Sequence, residues 1–580
     1  MTKHYTDEKT AQIVLALLKA HGVRKVIASP GTTNMALVVS MQNNPDFEMY
    51  SSVDERSAAY MACGLAAETG EPVVISCTGA TASRNYLSGL TEAFYRKLPI
   101  LAITSTPPVS RVGHHIAQVI DRSAMPKDAV KLSVSLPVVK DDEDYWDCEM
   151  KVNKAILELF RHGGGPAHIN LPTTYNDSFG STKLPEVRVI RRIAAGDAFP
   201  EFPQGKVAVF VGAHALMSKA ETAAIDAFCE SNDAVVFCDH TSGYRGAYRV
   251  LYSAVASQRS LDFSNHRPDL LIHIGEVSGD YSIMNMVGKE VWRINPDGEI
   301  RDTFRKLRYV FEMPHQQFFA HYTDNGANSS GRYLKFCKDH LAELYSKIPE
   351  LPFSNPWIAS KMAHRIPEGA VIHFGILNSL RSWNFFEIPQ SVESSCNVGG
   401  FGIDGCLSAL LGASLADKNK LYFGVIGDLS TFYDMNTLGN RHLGKNLRIL
   451  LVNNGRGTEF RNSSHRAAIF GDDADEYVAA ARHFGNKSCT LMKHYAEDLG
   501  FEYLCASNKN EFNLVFEHFL TAEITDRPML FEVFTQSIEE SNALELLMSV
   551  MKDEKVSARG VAKKMLGEKG VKVLKKAAGR

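Results

Sequence analysis

Two short polar clusters carry the clearest chemistry in this sequence. One closes the apolar run Leu421 to Ile426 with Gly427-Asp428-Leu429-Ser430, and the other closes the run from Leu447 with Asn453-Asn454-Gly455. Both runs read as buried strands, and Thr431 to Leu443 between them has the length of one helix. A right-handed crossover then brings both clusters to one edge of a parallel sheet. That edge is where open α/β sheets bind ligands. Asp428 offers a hard carboxylate and Asn454 an amide oxygen, and both suit Mg²⁺, which shares oxygen ligands with a diphosphate. Gly427 lets the backbone approach phosphates closely, and the start of the next helix adds a positive dipole. A third candidate is Glu55, in the first turn of a helix that follows the short strand ending near Ser51-Ser52. Taken alone, an acidic residue there is what helix capping and the dipole favour.

The elements that must position these groups alternate between apolar runs and helical periodicity along most of the chain, the pattern of parallel α/β architecture. Thr6 to Ala20 reads as a helix stopped by Gly22. Strands are predicted at Lys25–Ser29, Val73–Cys77 and Leu98–Thr104, with helices at Glu55–Thr69 and Ala82–Arg96. Further strands are predicted at Lys206–Gly212, Ala234–Cys238, Asp269–Gly275, Ala370–Phe374, Lys420–Ile426 and Leu447–Asn453, with helices from Ser218 and from Pro356 to Arg365. The expected fold is α/β, with three consecutive doubly wound parallel-sheet domains. Their bounds are 1–182, 205–350 and 351–550, with a linker at 183–204 and a basic tail at 551–580. The tail holds ten Lys or Arg and three Asp or Glu. It reads as a solvated extension or as a weak hold on an acidic partner or anionic surface.

Composition narrows the class. The 580 residues are 45% hydrophobic and 22% charged with a formal charge of −3, which gives no sign of a nucleic-acid binder. No apolar run reaches the length of a membrane span, and the N-terminus lacks a signal-peptide core. The ten cysteines are scattered without a CxxC pair. Reduced thiols and a cytoplasmic protein are expected.

Gly-Asp followed one crossover later by Asn-Asn, each after an apolar strand, resembles the signature of thiamine-diphosphate (ThDP) enzymes. The resemblance implies that Asp428, Asn454 and the carbonyl of Arg456 hold Mg²⁺. It also implies that Glu55 protonates the aminopyrimidine of the cofactor, whose imino form is then the base. The three domains become pyrimidine-binding, middle and diphosphate-binding. Because pyrimidine and diphosphate domains at one site come from different subunits in this family, an obligate homodimer or homotetramer is implied, with active sites at the subunit interface.

Within the ThDP-dependent 2-oxo acid decarboxylase and carboligase family, the run Asn397 to Ser408 is similar to the Gly-x-x-Gly-Ile-Asp-Gly stretch of the menaquinone-pathway synthases, which join 2-oxoglutarate to isochorismate. By that resemblance, Ile403, preceded by Gly402, is the apolar wedge that bends the cofactor. Asn378 and Ser379 hold the diphosphate together with Gly427, Asp428, Leu429 and Ser430. A formal GxGxxG at 400, 402 and 405 is set aside as a dinucleotide motif, because Glu393 to Asn397 reads as a poor strand. The departures concern substrate. Those synthases carry arginine where this chain has Thr33, Val398 and Trp383, with Arg381 two residues before the last. Neither Thr, Val nor Trp replaces a bidentate grip on carboxylate. Thr32, Thr33, Arg111, Gln118 and Arg381 are candidate substrate contacts. His114-His115 resemble the His-His pair of pyruvate-type decarboxylases, where imidazoles handle protons near neutrality. They read equally as two surface histidines.

The expected activity is decarboxylation of a small 2-oxo acid of the pyruvate or 2-oxoglutarate type. Transfer of the acyl unit to a carbonyl or enone acceptor less anionic than isochorismate follows. Three alternatives stay open: simple decarboxylation releasing an aldehyde, a redox enzyme that also binds FAD in the middle domain, and a non-catalytic ThDP-binding regulatory protein.

Overall fold

A computed structural model describes residues 4–122, 124–323, 331–463, 465–482 and 488–551. The expected role of the basic tail therefore falls outside the described residues, Met551 apart. The chain divides into two compact units, 1–197 with 298–312, and 198–297 with 313–580.

The first unit is built on six parallel strands: β1 (Lys25–Ala28), β2 (Glu48–Ser51), β3 (Val73–Thr78), β4 (Ile100–Thr106), β5 (Leu132–Ser135) and β6 (Ala167–Pro172). Their order is β2-β1-β3-β4-β6-β5. Successive residues of a strand face opposite sides, and here both sides are apolar. Val26, Val74, Leu101 and Ile103 pack under the helices Lys9–Ala20 and Asp142–Glu158. Ile27, Ile75, Ile100 and Ala102 pack under Glu55–Thr69 and Leu87–Tyr95. This two-sided burial is what a doubly wound parallel sheet requires.

The stretch expected to be a linker, 183–204, holds a strand, β7 (Arg191–Ala194). Its sequence, Arg191-Arg192-Ile193-Ala194, has neither an apolar run nor an alternation, and its partner is far off in sequence, so charge concealed it. That partner belongs to the same unit and pairs with it in parallel, Tyr309 opposite Arg191.

In the second unit, β8 (Val207–Val211), β9 (Val235–Cys238), β10 (Arg249–Leu251), β11 (Leu270–Ile274) and β12 (Glu290–Ile294) form a parallel set in the order β10-β9-β8-β11-β12. The partner of β7 is the next strand in the chain, β13 (Leu307–Glu312). The last sheet comprises β14 (Val371–Phe374), β15 (Glu393–Cys396), β16 (Tyr422–Gly427), β17 (Leu447–Asn453), β18 (Glu502–Ala506) and β19 (Met529–Phe534). Its order, β15-β14-β16-β17-β19-β18, repeats that of the first sheet position for position. Both sheets reverse direction of growth at one strand, β1 and β14, and such a switch point opens a crevice at the carboxyl ends of the strands.

Two expectations are corrected here. Glu393–Cys396 is a strand, paired in parallel with β14. It is an edge strand and only half-buried, so it needs no apolar run, and the argument that set the glycine motif aside for want of a strand falls. The helix expected over Thr431–Leu443 instead starts at Asp428, ends at Tyr433 and gives way to a 3-10 turn over Met435–Gly439. Asp434 stops it, accepting hydrogen bonds from the backbone and side chain of Ser408 at 2.6 Å each.

All ten cysteines are free, and among the described residues no helix is long and apolar enough to cross a membrane. The helix that carries Glu55 is fixed at both ends: Asp54 accepts from the Ser57 amide at 2.7 Å, and Gly70 closes it at φ 67°. Its alanine face meets the helix Leu87–Tyr95 so closely that a methyl group on Gly89 would lie 2.4 Å from the Ala59 Cβ. Gly89→Ala should cost about 1–3 kcal/mol, read as a lower midpoint in chemical denaturation.

Candidate active site

In the second unit the two polar clusters meet as the crossover requires. Asp428 is 4% exposed and follows β16 directly. One carboxylate oxygen accepts from the Leu429 amide at 2.8 Å, the other from the Gly455 amide at 2.6 Å. Asn454 adds an amide oxygen, held at 2.7 Å by the Thr458 hydroxyl. Ser430 donates to the Ile403 carbonyl, which ties the wedge candidate and Gly402 to the Asp428 turn. Asn378 and Ser379 start a short helix after β14, at the switch point. The preceding residue, Leu377, has φ 68° and ψ −117°. A non-glycine residue in that region is strained and persists only where surroundings hold it. The Asn378 amide oxygen accepts from Asn462 at 2.9 Å. Beside these groups lies a cavity of about 650 Å³, lined by Asn454, Arg456, Arg461, Ser463 and Thr535 among others.

The donor set fits a hard divalent ion. Among the described residues no group of three or more His, Cys, Asp or Glu is placed to hold a metal. One carboxylate with neutral oxygens is what Mg²⁺ takes when a diphosphate completes its shell. Burial pushes the Asp428 carboxyl up to about 6, against hydrogen bonds from Leu429 and Gly455 that lower it. A cation would offset that cost of burying charge.

Glu540 escaped sequence analysis, since nothing near it in sequence resembles a motif. It is 3% exposed and accepts from the Asn355 amide at 3.0 and 3.1 Å and from Thr535 at 2.6 Å. Burial raises its carboxyl to about 7, with the Asp428 charge adding to the rise. A raised acid favours folding below its unfolded value and loses that advantage as pH rises through the folded one. Relative to wild type, Glu540→Gln should therefore gain stability between pH 5 and 8, by up to about 3 kcal/mol. Urea denaturation of the cofactor-free proteins across that range would measure it, and a flat difference would refute it.

The remaining candidates sit as follows. In the first unit, Glu55 is half-buried, and Asn85 donates to it at 3.3 Å. Exposed apolar side chains surround its position in sequence, Val53 at 80% and Tyr60 and Met61 near half. His114 and His115 lie exposed on a turn, His115 at φ 53°, with Arg111 and Gln118 exposed nearby in the chain. Thr32 is exposed, whereas Thr33 is buried and donates to the Ser105 carbonyl at 2.8 Å. In the second unit, Arg381 grips Glu459 with two nitrogens, at 2.5 and 3.1 Å. Trp383 is fully buried and donates to Asn355 at 3.1 Å, and Val398 is buried. Arg456 pairs through its side chain with Asp475 at 2.5 Å, leaving its carbonyl as the group of interest.

Parallel sheets with matching strand order and a buried Asp beside an Asn-Gly turn are the arrangement expected of a ThDP enzyme. Residues 8–125 match the family described as "Thiamine pyrophosphate enzyme, N-terminal TPP binding domain". The chain belongs to the ThDP-dependent 2-oxo acid decarboxylase and carboligase family. It is 32% identical over 569 residues to the 2-succinyl-5-enolpyruvyl-6-hydroxy-3-cyclohexene-1-carboxylate synthase of Bacteroides fragilis, which spans 93% of this chain and 98% of that protein. The synthase of the same name from Phocaeicola vulgatus is 32% identical over 568 residues, with the same coverage. Among solved structures, the ThDP-dependent 4-hydroxybenzoylformate decarboxylase of Rhodococcus jostii RHA1 aligns with a TM-score of 0.39 at 17% identity, over 91% of this chain and 99% of that one.

Proposed function

We propose that this ThDP enzyme decarboxylates a small 2-oxo acid and transfers the acyl unit to a carbonyl or enone acceptor, forming a C–C bond. Similarity to synthases along most of the chain supports the carboligase reading over aldehyde release. The observation that carries the site is the Asp428 carboxylate, buried and joined to the Asn454-Gly455 turn. When bound, ThDP supplies a nucleophilic carbon and an electron sink for the carbanion left by carbon dioxide. Asp428, Asn454 and the Arg456 carbonyl hold Mg²⁺. Gly427 admits the diphosphate, and Leu429, Ser430, Asn378 and Ser379 fix it. Ile403 would supply the apolar contact to the cofactor. Glu55 holds the proton that the aminopyrimidine ring needs.

The acceptor is less anionic than isochorismate in this reading. Thr33, Val398 and Trp383 replace arginines, and all three are committed to packing. Arg381 does not stand in for them, because Glu459 already neutralises it. Glu55 supports a homo-oligomer: a carboxylate that must protonate a ring belongs in a dry setting, yet in one copy it is half-buried near exposed apolar side chains. A second copy covering that face would supply the setting. The exposed His114 and His115 keep their proton-transfer role as a subordinate proposal.

The test is product analysis. Pyruvate and 2-oxoglutarate are supplied with ThDP and Mg²⁺, with and without neutral aldehydes, ketones and enones. Carbon dioxide release with a new C–C product only when acceptor is present supports the proposal. An aldehyde as the product whatever is added would replace it with simple decarboxylation.

A further inference from the structure

A second cavity, of about 340 Å³, lies within the second unit and away from the residues above. Its floor is one face of the last sheet: Val371 and His373 of β14, Ser395 of β15 and Tyr422, the first residue of β16. Asp428 follows the other end of β16, six residues on and roughly 20 Å away at strand spacing. Leu216, Ala413 and Ala416 give apolar wall, and Arg245 and Lys420 give positive charge.

The charges do not balance. Lys420 is paired with Glu393 at 2.6 Å, and the other nearby carboxylate, Glu387, is paired with Arg249 at 3.4 Å. Among the described residues no carboxylate lies within ion-pair distance of Arg245. Its guanidinium donates only to neutral oxygens: the Ser242, Tyr244 and Val392 carbonyls at 3.1, 3.4 and 3.4 Å and the Ser394 hydroxyl at 2.9 Å. Burial draws it down to about 10, the direction expected of a guanidinium short of water and of a counter-charge. The Ser395 hydroxyl is buried with no hydrogen-bond partner, although its strand neighbour His373 and the cavity adjoin it. Burial pushes His373 down to about 4, so it meets a ligand as a neutral imidazole. The cavity thus offers one uncompensated cation, one free hydroxyl, one neutral imidazole and an apolar wall. One excess positive charge beside Glu393 suits a singly charged group and disfavours a phosphate dianion.

We propose that this cavity is a second binding site, for a small organic monocarboxylate whose carboxylate pairs with Arg245 and whose apolar body lies against Leu216, Val371 and Ala413. A planar guanidinium recognises carboxylate through charge-assisted hydrogen bonds, and a neutral amide of equal shape forfeits them.

Benzoate and its neutral isostere benzamide test this, titrated by calorimetry and by saturation-transfer NMR into the full-length protein loaded with ThDP and Mg²⁺. Benzoate should bind saturably and at least tenfold more tightly than benzamide. In Arg245→Gln that preference should vanish. Because Arg245 also braces the backbone, a second variant is needed. Ala416→Phe fills the cavity wall without touching the Arg245 hydrogen bonds, and it should abolish binding of both probes. No saturable binding of benzoate to the wild type would overturn the proposal. So would benzoate affinity that is unchanged in Ala416→Phe, since binding would then lie elsewhere.

Discussion

Asp428→Ala loses metal-dependent binding of ThDP. Asp428 is the one charged member of the proposed ligand set, and its replacement would leave Mg²⁺ with neutral oxygens alone. Even outer partners of a metal site are worth roughly 10–100-fold in affinity, so loss of this ligand should cost at least about 100-fold. Calorimetric titration of cofactor-stripped protein with ThDP, with and without Mg²⁺, reads the effect. The wild type should bind tightly only with the metal. The variant should bind weakly in both conditions while its circular dichroism is unchanged. Failure of the wild type to bind ThDP under any condition would remove the metal and cofactor roles assigned to these residues.

Glu55→Gln should abolish decarboxylation while the fold and ThDP binding persist. General acid–base groups contribute about 10²–10⁴-fold, and the loss should fall in that range. Near-normal turnover in the variant would remove the proposed mechanism. The same pair of variants tests the oligomer. In a dimer whose sites each take Glu55 from one copy and Asp428 from the other, a hybrid of the two inactive variants contains one site with both defects and one with none. Equimolar mixing and re-association should therefore return about a quarter of wild-type activity. A site built within one chain would return none.

The class of fold was legible in the sequence for identifiable reasons, as was the meeting of Asp428 with the Asn454-Gly455 turn. The helix Glu55–Thr69 was predicted residue for residue because Asp54 and Gly70 mark its ends chemically. Strands such as β3, β16 and β17 were legible as largely apolar runs, whereas β6 and β19, as deeply buried, were not picked out. Of the edge elements, β2 was legible before the Glu55 helix, but β7 and β15 are half-wet, so charge and serine hid them. The repeat of strand order between the first and last sheets is a property of pairing and cannot be read from periodicity. Glu540 was missed because its role comes from its burial against Asn355, 185 residues away. Arg381, whose charge suggests a substrate contact, is held in the structure by Glu459, a partner 78 residues away that its own sequence neighbourhood does not reveal.

The first unit is discontinuous in sequence, and this bears on how the protein is made. Several of its closing contacts come from residues 298–312: Asp302 takes the Arg188 guanidinium at 2.7 Å and the Trp146 indole at 2.9 Å, Arg161 reaches Glu299 at 2.7 Å, and β13 completes β7. On a ribosome that emits the chain from its amino terminus, residues 1–197 therefore wait for about a hundred more before these partners arrive. Contacts of such long sequence separation are slow to form. During that interval Arg161 and Arg188 have only their local partners, Glu158 and Glu149, and the edge of β7 that β13 will take stands open to chaperones or to a neighbouring nascent chain. A gene fragment cut at residue 197 would keep that edge open permanently, so dissection of this enzyme into expressible pieces should carry residue 312 with the first.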